Sequence, residues 1–281
     1  MDIFPRNKAI DFKKFSPEIN DREVLYGLPG EIAFCKKCVI SNQRPSSAVE
    51  FKNNAAAKKS TIHFDENGVC DACNFAENKE DIDWGLREKE LVDLCGKHRR
   101  LDGRYDCIVS GSGGKDSFYT AHKLKHKYGM NPLTITWAPH MYTQWGWENL
   151  LSWTHSGFDN SLFTPNGRVH RILTRLALET LFHPFQPFIF GQKNLAPKEA
   201  LARGISLVFY GENEAEYGNA RKDNDTAKRD NSYFTLADKS EVFLGGTTLA
   251  DLSEHFGMKD VDYAPYMPVD PSQIEENGLE I

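Results

Sequence analysis

No apolar run in this chain is long enough to cross a bilayer. The longest, such as Ile205 to Tyr210, are strand-sized. Met1 to Asn20 is mixed polar and charged and lacks the apolar stretch of a signal peptide, so the expected compartment is the cytoplasm and no membrane partner is expected. A surplus of positive charge is also missing, the formal net charge being −6. Proteins that wrap nucleic acid take much of their affinity from neutralising phosphates, so nucleic acid is not the expected partner, although a local basic face stays open. Two familiar nucleotide-binding spacings are absent as well. The glycines do not fit a dinucleotide fingerprint, and Lys115 is followed by Asp116 rather than by the Ser or Thr of a Walker loop.

What is present is an ordinary globular mixture of 281 residues, 40% hydrophobic and 26% charged. That length suits one large domain with a small one attached. Residues 1–30 read as an irregular, charged segment. Residues 31–80 form a distinct segment with two cysteine pairs, and its polar run Lys52 to Ser60 reads as an exposed loop. From 81 to 259 helical and strand-like patterns alternate, which predicts an α/β domain on a parallel sheet. Helices are expected over 81–100, 118–128, 144–155, 169–182 and 248–256, and another over 187–203 that is interrupted near Pro197. Strands are expected over 105–109, 132–137, 159–163 and 205–210. The charge run Arg221 to Asn231 reads as an insertion or lid within 221–242. The tail 260–281 is rich in proline and acid and has no assignable fold.

The strongest chemical signal is Ser110-Gly-Ser-Gly-Gly-Lys-Asp-Ser117, between the first strand and a helix. Glycine lets the backbone take positive φ and approach a ligand closely. Successive N–H groups then converge on one concavity, and a helix N-terminus adds its positive end. In this reading Ser110, Ser112, Gly113, Gly114, Lys115 and Ser117 hold the phosphates of ATP, and Asp116 holds Mg²⁺ or fixes the loop.

Cys35-Lys-Lys-Cys38 and Cys70-Asp-Ala-Cys73 have the spacing of a four-thiolate Zn²⁺ site, with Asp65-Glu-Asn-Gly68 as a turn before the second pair. Four cysteines leave no open position, so the metal is expected to be structural. Cys95 and Cys107 read as core residues.

Gly211-Glu-Asn-Glu-Ala-Glu-Tyr-Gly218 follows the last clear strand. Ligands of parallel sheets bind beyond the carboxyl ends of strands. Glu212 and Glu216 are therefore candidates to hold Mg²⁺ or orient a nucleophile, and Asn213, Glu214 and Lys193 are candidates to bind substrate. The alternative is a solvated acidic loop and a surface lysine. His122 and His126 stand four apart on a helix, but with no evident third ligand they read as a solvated face. Trp137, Trp145, Trp147 and Trp153 are equally suited to walling a base or sugar pocket and to filling the core.

Ser112-Gly-Gly-Lys-Asp-Ser117 resembles the signature of the PP-loop ATP pyrophosphatases, whose fold is adenine nucleotide alpha hydrolase-like. The two cysteine pairs, Asp83-Trp84, Tyr105-Asp-Cys-Ile-Val109 and the Gly211 to Gly218 motif together resemble the N-acetyl sugar amidotransferases of bacterial surface-polysaccharide (lipopolysaccharide O-antigen) and flagellin-glycan biosynthesis. The resemblance runs from about Cys35 to about Gly218. It implies a PP-loop domain behind an N-terminal zinc ribbon, adenine at Trp137 and Ala138, and further sequence beyond Ile281. It also implies conversion of an acetamido group to an acetamidino group through an adenylated intermediate. A glutaminase needs an activated cysteine, and no cysteine here sits at such an elbow, so ammonia is expected from a partner glutaminase subunit. Two rival readings are a tRNA-thiolating PP-loop enzyme and a zinc-ribbon interaction module.

Overall fold

The computed structural model describes residues 27–46, 49–212 and 228–281. Asn213, Glu214, Glu216 and most of the charge run 221–231 lie outside the described residues, as does nearly all of the segment 1–30. Among the described residues no helix is long and apolar enough to cross a membrane.

The alternating pattern folds as expected for an α/β domain. Four parallel strands, β1 (Cys107–Ser110), β2 (Pro132–Trp137), β3 (Asn160–Phe163) and β4 (Val208–Tyr210), lie in the order β3-β2-β1-β4. Helix α3 (Lys115–His126) links β1 to β2 and α4 (Gln144–Thr154) links β2 to β3, both stepping the same way. Helices α5 (Gly167–Leu181) and α6 (Gln186–Arg203) then carry the chain back across the sheet to β4. Right-handed crossovers place these two helix pairs on opposite faces. The stepping direction reverses between β1 and β4, and a crevice for a ligand opens at such a reversal.

Strand alternation divides the interior into two cores. Ile108, Leu133, Ile135 and Val208 face α5 and α6, where Val169, Ile172, Leu173, Phe190 and Ala196 are buried. Cys107, Val109 and Leu207 face the other way with Ala121 and Leu124 of α3, Leu150 and Trp153 of α4, and Cys95 of α2 (Trp84–His98). Cys95 and Cys107 are thus the core residues their positions predict. On this second face β2 presents two fully enclosed threonines. Thr134 Oγ1 donates to Asp159 O at 2.9 Å, Thr136 Oγ1 donates to Gly111 O at 2.7 Å, and Asn160 Nδ2 bridges both hydroxyls. Each buried hydroxyl is therefore satisfied, which removes the desolvation cost of placing threonine there.

Two elements differ from expectation. Helix α6 runs unbroken through Pro197. Proline lacks the N–H that would bond the carbonyl four residues back, here that of Lys193. The Tyr210 hydroxyl donates to that carbonyl at 2.7 Å, so the sheet repairs the gap in the helix. Tyr210→Phe should then cost about 1–2 kcal/mol, the penalty of an unsatisfied buried carbonyl. In a Pro197→Ala background, where the helix N–H returns, the same change should cost much less. Chemical denaturation of the four proteins measures this coupling, and strictly additive losses would refute it.

The tail is the second difference. Residues 260–281 belong to the main core through Tyr263, Tyr266, Met267, Val269, Ile274 and Leu279. Glu280 N donates to Ser206 O and Val208 N donates to Glu280 O, both at 2.9 Å. The parallel bridge Leu207↔Glu280 thus occupies a fifth position beyond β4. The tail's apolar residues are spread over the short helices α8 (Asp260–Tyr263) and α9 (Pro271–Glu276) and the turns between them, so no helical or strand period is visible. The small antiparallel pair β5 (Phe243–Leu244) and β6 (Thr247–Thr248) and helix α7 (Leu249–Phe256) complete this side of the core.

The N-terminal segment is tied to the same body. A single-turn helix at Glu50–Lys52 buries Phe51 in the main core. Gln186 Nε2 donates to Glu50 O at 3.2 Å and to Phe243 O at 2.9 Å.

Candidate functional site

The loop between β1 and α3 is held at both ends. Gly111 N donates to Ile135 O at 2.9 Å, which extends the sheet one residue past β1. Gly113 has φ +84°, and a Cβ there would lie 2.2 Å from the Asn149 carbonyl oxygen of α4. A Cβ at Gly111 would lie 2.3 Å from the Ser117 side chain. The loop therefore packs backbone against α4 on one side and against α3 on the other. Gly114 is the N-cap of α3 and supplies no side-chain hydrogen bond to the helix. Backbone donors of the first turn, with the positive end of the helix dipole, are thus left for a ligand. Ser117 is buried and its hydroxyl donates to Gly114 O at 3.2 Å. Lys115 is almost wholly exposed, with its ammonium 2.7 Å from Asp116 Oδ1.

The end of β4 meets this helix terminus. A Cβ at Gly211 would fall 2.6 Å from Ser117 N, so only a glycine lets β4 approach α3 this closely. Glu212 follows directly, and its carbonyl accepts from Arg229 Nη2. Ser110, Ser112, Gly113, Gly114, Lys115, Asp116 and Ser117 thus lie together at the end of β1 and the start of α3, and Glu212 follows Gly211 at the β1/β4 reversal. Lys193 stands on α6 at the end of β4, its ammonium 5.2 Å from the centre of the Tyr233 ring. An open groove of about 610 Å³ leaves the loop between α3 and α4, walled by Phe118, Tyr119, His122, Asn149 and Ser152.

The side chain of Trp137 is packed in the core. Its side chain is 4% exposed, it stacks on Phe163 at 4.9 Å between centroids, and it meets the Tyr266 ring edge-on at 5.3 Å. The backbone of α6 closes over the indole, since a Cβ at Gly191 would lie 2.0 Å from it. His170, hydrogen-bonded to the Tyr266 hydroxyl at 2.9 Å, lies in the same cluster. Burial, with the neighbouring His140, holds its imidazole down at about 4, so it is neutral there at physiological pH. His122 and His126 are exposed with ring centres 4.5 Å apart. Among the described residues the only group of three or more His, Cys, Asp or Glu placed to hold a metal is the cysteine cluster.

That cluster is Cys35, Cys38, Cys70 and Cys73, with all four sulfurs within 4.8 Å of one another. Cys35 Sγ lies 3.9 Å from Cys73 Sγ, and Cys38 Sγ 3.7 Å from Cys70 Sγ. A tetrahedron with Zn–S bonds of about 2.3 Å sets sulfurs about 3.8 Å apart, so the site fits a metal such as zinc. The sequence builds each half. Cys35 N donates to Ile40 O at 2.9 Å and closes the first knuckle. In the second, Asp65 Oδ1 accepts from Asn67 N and Val69 N, both at 2.9 Å, and Cys70 caps helix α1 (Asp71–Asn78). Lys36 N to Gly68 O at 2.9 Å joins the two. Burial alone would raise the Cys35 thiol, but backbone N–H groups of Cys38, Cys70 and Lys37 outweigh it and bring it to about 6. These donors favour the thiolate that a metal requires.

The contacts of Arg229 and Tyr210 are not legible in the sequence. Arg229 sits inside a charge run, where one cation looks like another, and no local signal marks it. The Asn149 carbonyl that fixes Gly113 also leaves no trace in residue type. No known protein family profile matches the chain. Over 77 residues it is 30% identical to an uncharacterized protein of Methanocaldococcus jannaschii, a match that spans 27% of this chain and 27% of that protein.

Proposed function

We propose that this protein is a PP-loop enzyme, an ATP-dependent amidotransferase of bacterial surface-glycan synthesis that converts the acetamido group of an N-acetylated sugar into an acetamidino group. The observation that carries the ATP part is the uncapped N-terminus of α3, framed by Gly113 and Gly211 at the point where the sheet reverses. A helix terminus approached this closely by glycine backbone suits a polyphosphate. The absence of a Walker spacing favours cleavage between the α- and β-phosphates. The choice of acceptor rests on the motif resemblance.

In this mechanism the N–H groups of the loop and of the first turn of α3 hold the pyrophosphate portion of ATP, with Lys115 at the mouth. The amide oxygen of the acetamido group attacks the α-phosphorus. The bond to the pyrophosphate oxygen breaks, and the loop stabilises the charge that departs. Ammonia, delivered by a glutaminase partner, adds to the imidate carbon, and AMP leaves carrying the former amide oxygen. Asp116 and Glu212 would hold Mg²⁺, which screens the phosphate charges. Zn²⁺ on the four cysteines serves the architecture of the N-terminal segment.

Atom tracking tests the proposal. With ATP, Mg²⁺ and ammonium, mass spectrometry should show an acetamido sugar exchanging O for NH. Label placed as ¹⁸O in the acetamido group should appear in AMP and not in pyrophosphate. Folded, ATP-binding protein that leaves every sugar of an acetamido panel unchanged would rule the assignment out.

A further inference from the structure

We infer that Trp153, on α4, is a positioning residue for the loop between β1 and α3. Its indole N–H takes up the Ser112 carbonyl when the peptide groups of the loop turn toward a bound polyphosphate. The inference rests on the reading above of this loop as the phosphate site, and adds the side chain that holds it in its loaded arrangement.

Trp153 has no exposed surface. Its rings pack against Phe118 of α3 and against Phe158, at 5.6 and 5.9 Å between centroids. Those contacts account for the ring and not for its nitrogen. Nε1 is buried and has no hydrogen-bond partner among the described residues. The hydroxyls around Gly111 are paired, since Thr136 donates to Gly111 O at 2.7 Å and Ser117 donates to Gly114 O at 3.2 Å. An indole N–H without an acceptor in an apolar core destabilises the free protein. Any state that supplies an acceptor is favoured by the same amount.

The loop lies along this indole. A Cβ at Gly113 would fall 3.0 Å from Trp153 Cβ, and one at Gly111 would fall 3.4 Å from Cζ2, on the ring edge that also carries Nε1. Ser112 joins the two glycines, so its peptide runs past the pyrrole ring. A trans peptide points its N–H and C=O to opposite sides. When the Gly113 N–H turns toward a phosphate, the Ser112 carbonyl turns away from it, to the side that α4 closes. Gly113, at φ +84°, has the backbone freedom this rotation needs. Trp153 then makes the hydrogen bond it lacks, and that bond stabilises the loaded loop alone.

Indole ¹⁵N resonances test this directly. The chain has five tryptophans, and the signal lost in Trp153→Phe is that of Trp153. Should that variant not fold, phenylalanine at each of the other four assigns the signal by elimination. The probe is pyrophosphate with Mg²⁺, which brings no aromatic ring to disturb the shifts. Saturating the native protein with it should move the Trp153 Nε1–H signal downfield. Folded Trp153→Phe should bind pyrophosphate about 3- to 10-fold more weakly, the effect of one hydrogen bond. A side chain that only fills the core would leave both the signal and the affinity unmoved. Either an unmoved signal at saturation or native affinity in folded Trp153→Phe would overturn the inference. So would a signal already downfield in the free protein, which would place another acceptor, such as an internal water, on Nε1. The two readings fail separately. Native protein that binds neither pyrophosphate nor ATP sinks the nucleotide reading and the inference with it. Binding with the Trp153 signal unmoved sinks the inference alone.

Discussion

Gly113→Ala is expected to lose ATP binding almost completely, whereas Gly114→Ala is expected to keep the fold intact. The residues are neighbours in one loop, so composition and charge cannot separate them. Gly113 has φ +84°, a conformation that costs an L-residue about 1–2 kcal/mol. The larger problem is position, since the new Cβ would fall 2.2 Å from Asn149 O and 2.8 Å from its carbonyl carbon. That is backbone inside α4, which has no rotamer to turn away. The loop must lift off α4, and lifting it moves the N–H groups proposed to hold the phosphates. A local cost of about 2 kcal/mol would lower Tm by about 4–8 °C in a domain of this size, and affinity for ATP should fall about 100-fold or more. Gly114 has φ −65° and nothing within 4 Å of its Cβ position. Its alanine variant should melt with the native protein. If ATP then binds less well, the cause is the ligand meeting the methyl group, because no protein atom does. Melting curves and equilibrium ATP titrations on the two variants give four numbers. Unchanged ATP affinity in folded Gly113→Ala would remove this loop from the nucleotide site.

The comparison also shows which parts of the protein can be read before folding. The glycine-rich loop after β1 and both cysteine pairs are contiguous in sequence, so residue type and spacing alone mark where they lie. The parallel sheet was legible because its strands are short apolar runs separated by helical periods. Other features depend on partners distant in sequence. Trp137 at a strand end gives no sign of its packing, and the close approach of Gly191 on α6 to its indole depends on a residue far along the chain. Pro197 reads as a helix break because its rescue comes from Tyr210, on another element. The tail reads as shapeless because its apolar residues are recruited singly from turns, with the backbone of Glu280 completing the sheet edge beside β4. Arg229 is placed by partners distant in sequence, the ring of Tyr210 and the carbonyl of Glu212.

Removing the metal should unfold the N-terminal knuckles and leave the α/β body standing. The knuckles have little else to hold them. Their own core is Cys35, Ile62, Val69 and Cys70, with Ile40, Phe64, Ala72 and Cys73 partly covering it. Three of those eight side chains, Cys35, Cys70 and Cys73, belong to the cysteine cluster itself, so apolar burial alone is thin. Structural zinc contributes about 10–16 kcal/mol of apparent binding energy in small four-ligand units, far more than this core supplies. Cys70 is fully buried, caps α1 and donates its N–H to Cys35 Sγ at 3.3 Å. Cys70→Ser should therefore reduce bound zinc to background by elemental analysis. Trypsin should then cut after Lys36 and Lys37, whose N–H groups are tied to Gly68 O and Cys35 Sγ in the intact knuckle. The body should resist, because Phe51, between the two knuckles, anchors the chain in the main core. Far-UV circular dichroism should change little, since α1 is the only helix of eight or more residues within this unit. A metal-free protein with native trypsin resistance at Lys36 and Lys37 would show that the four sulfurs are only packed together.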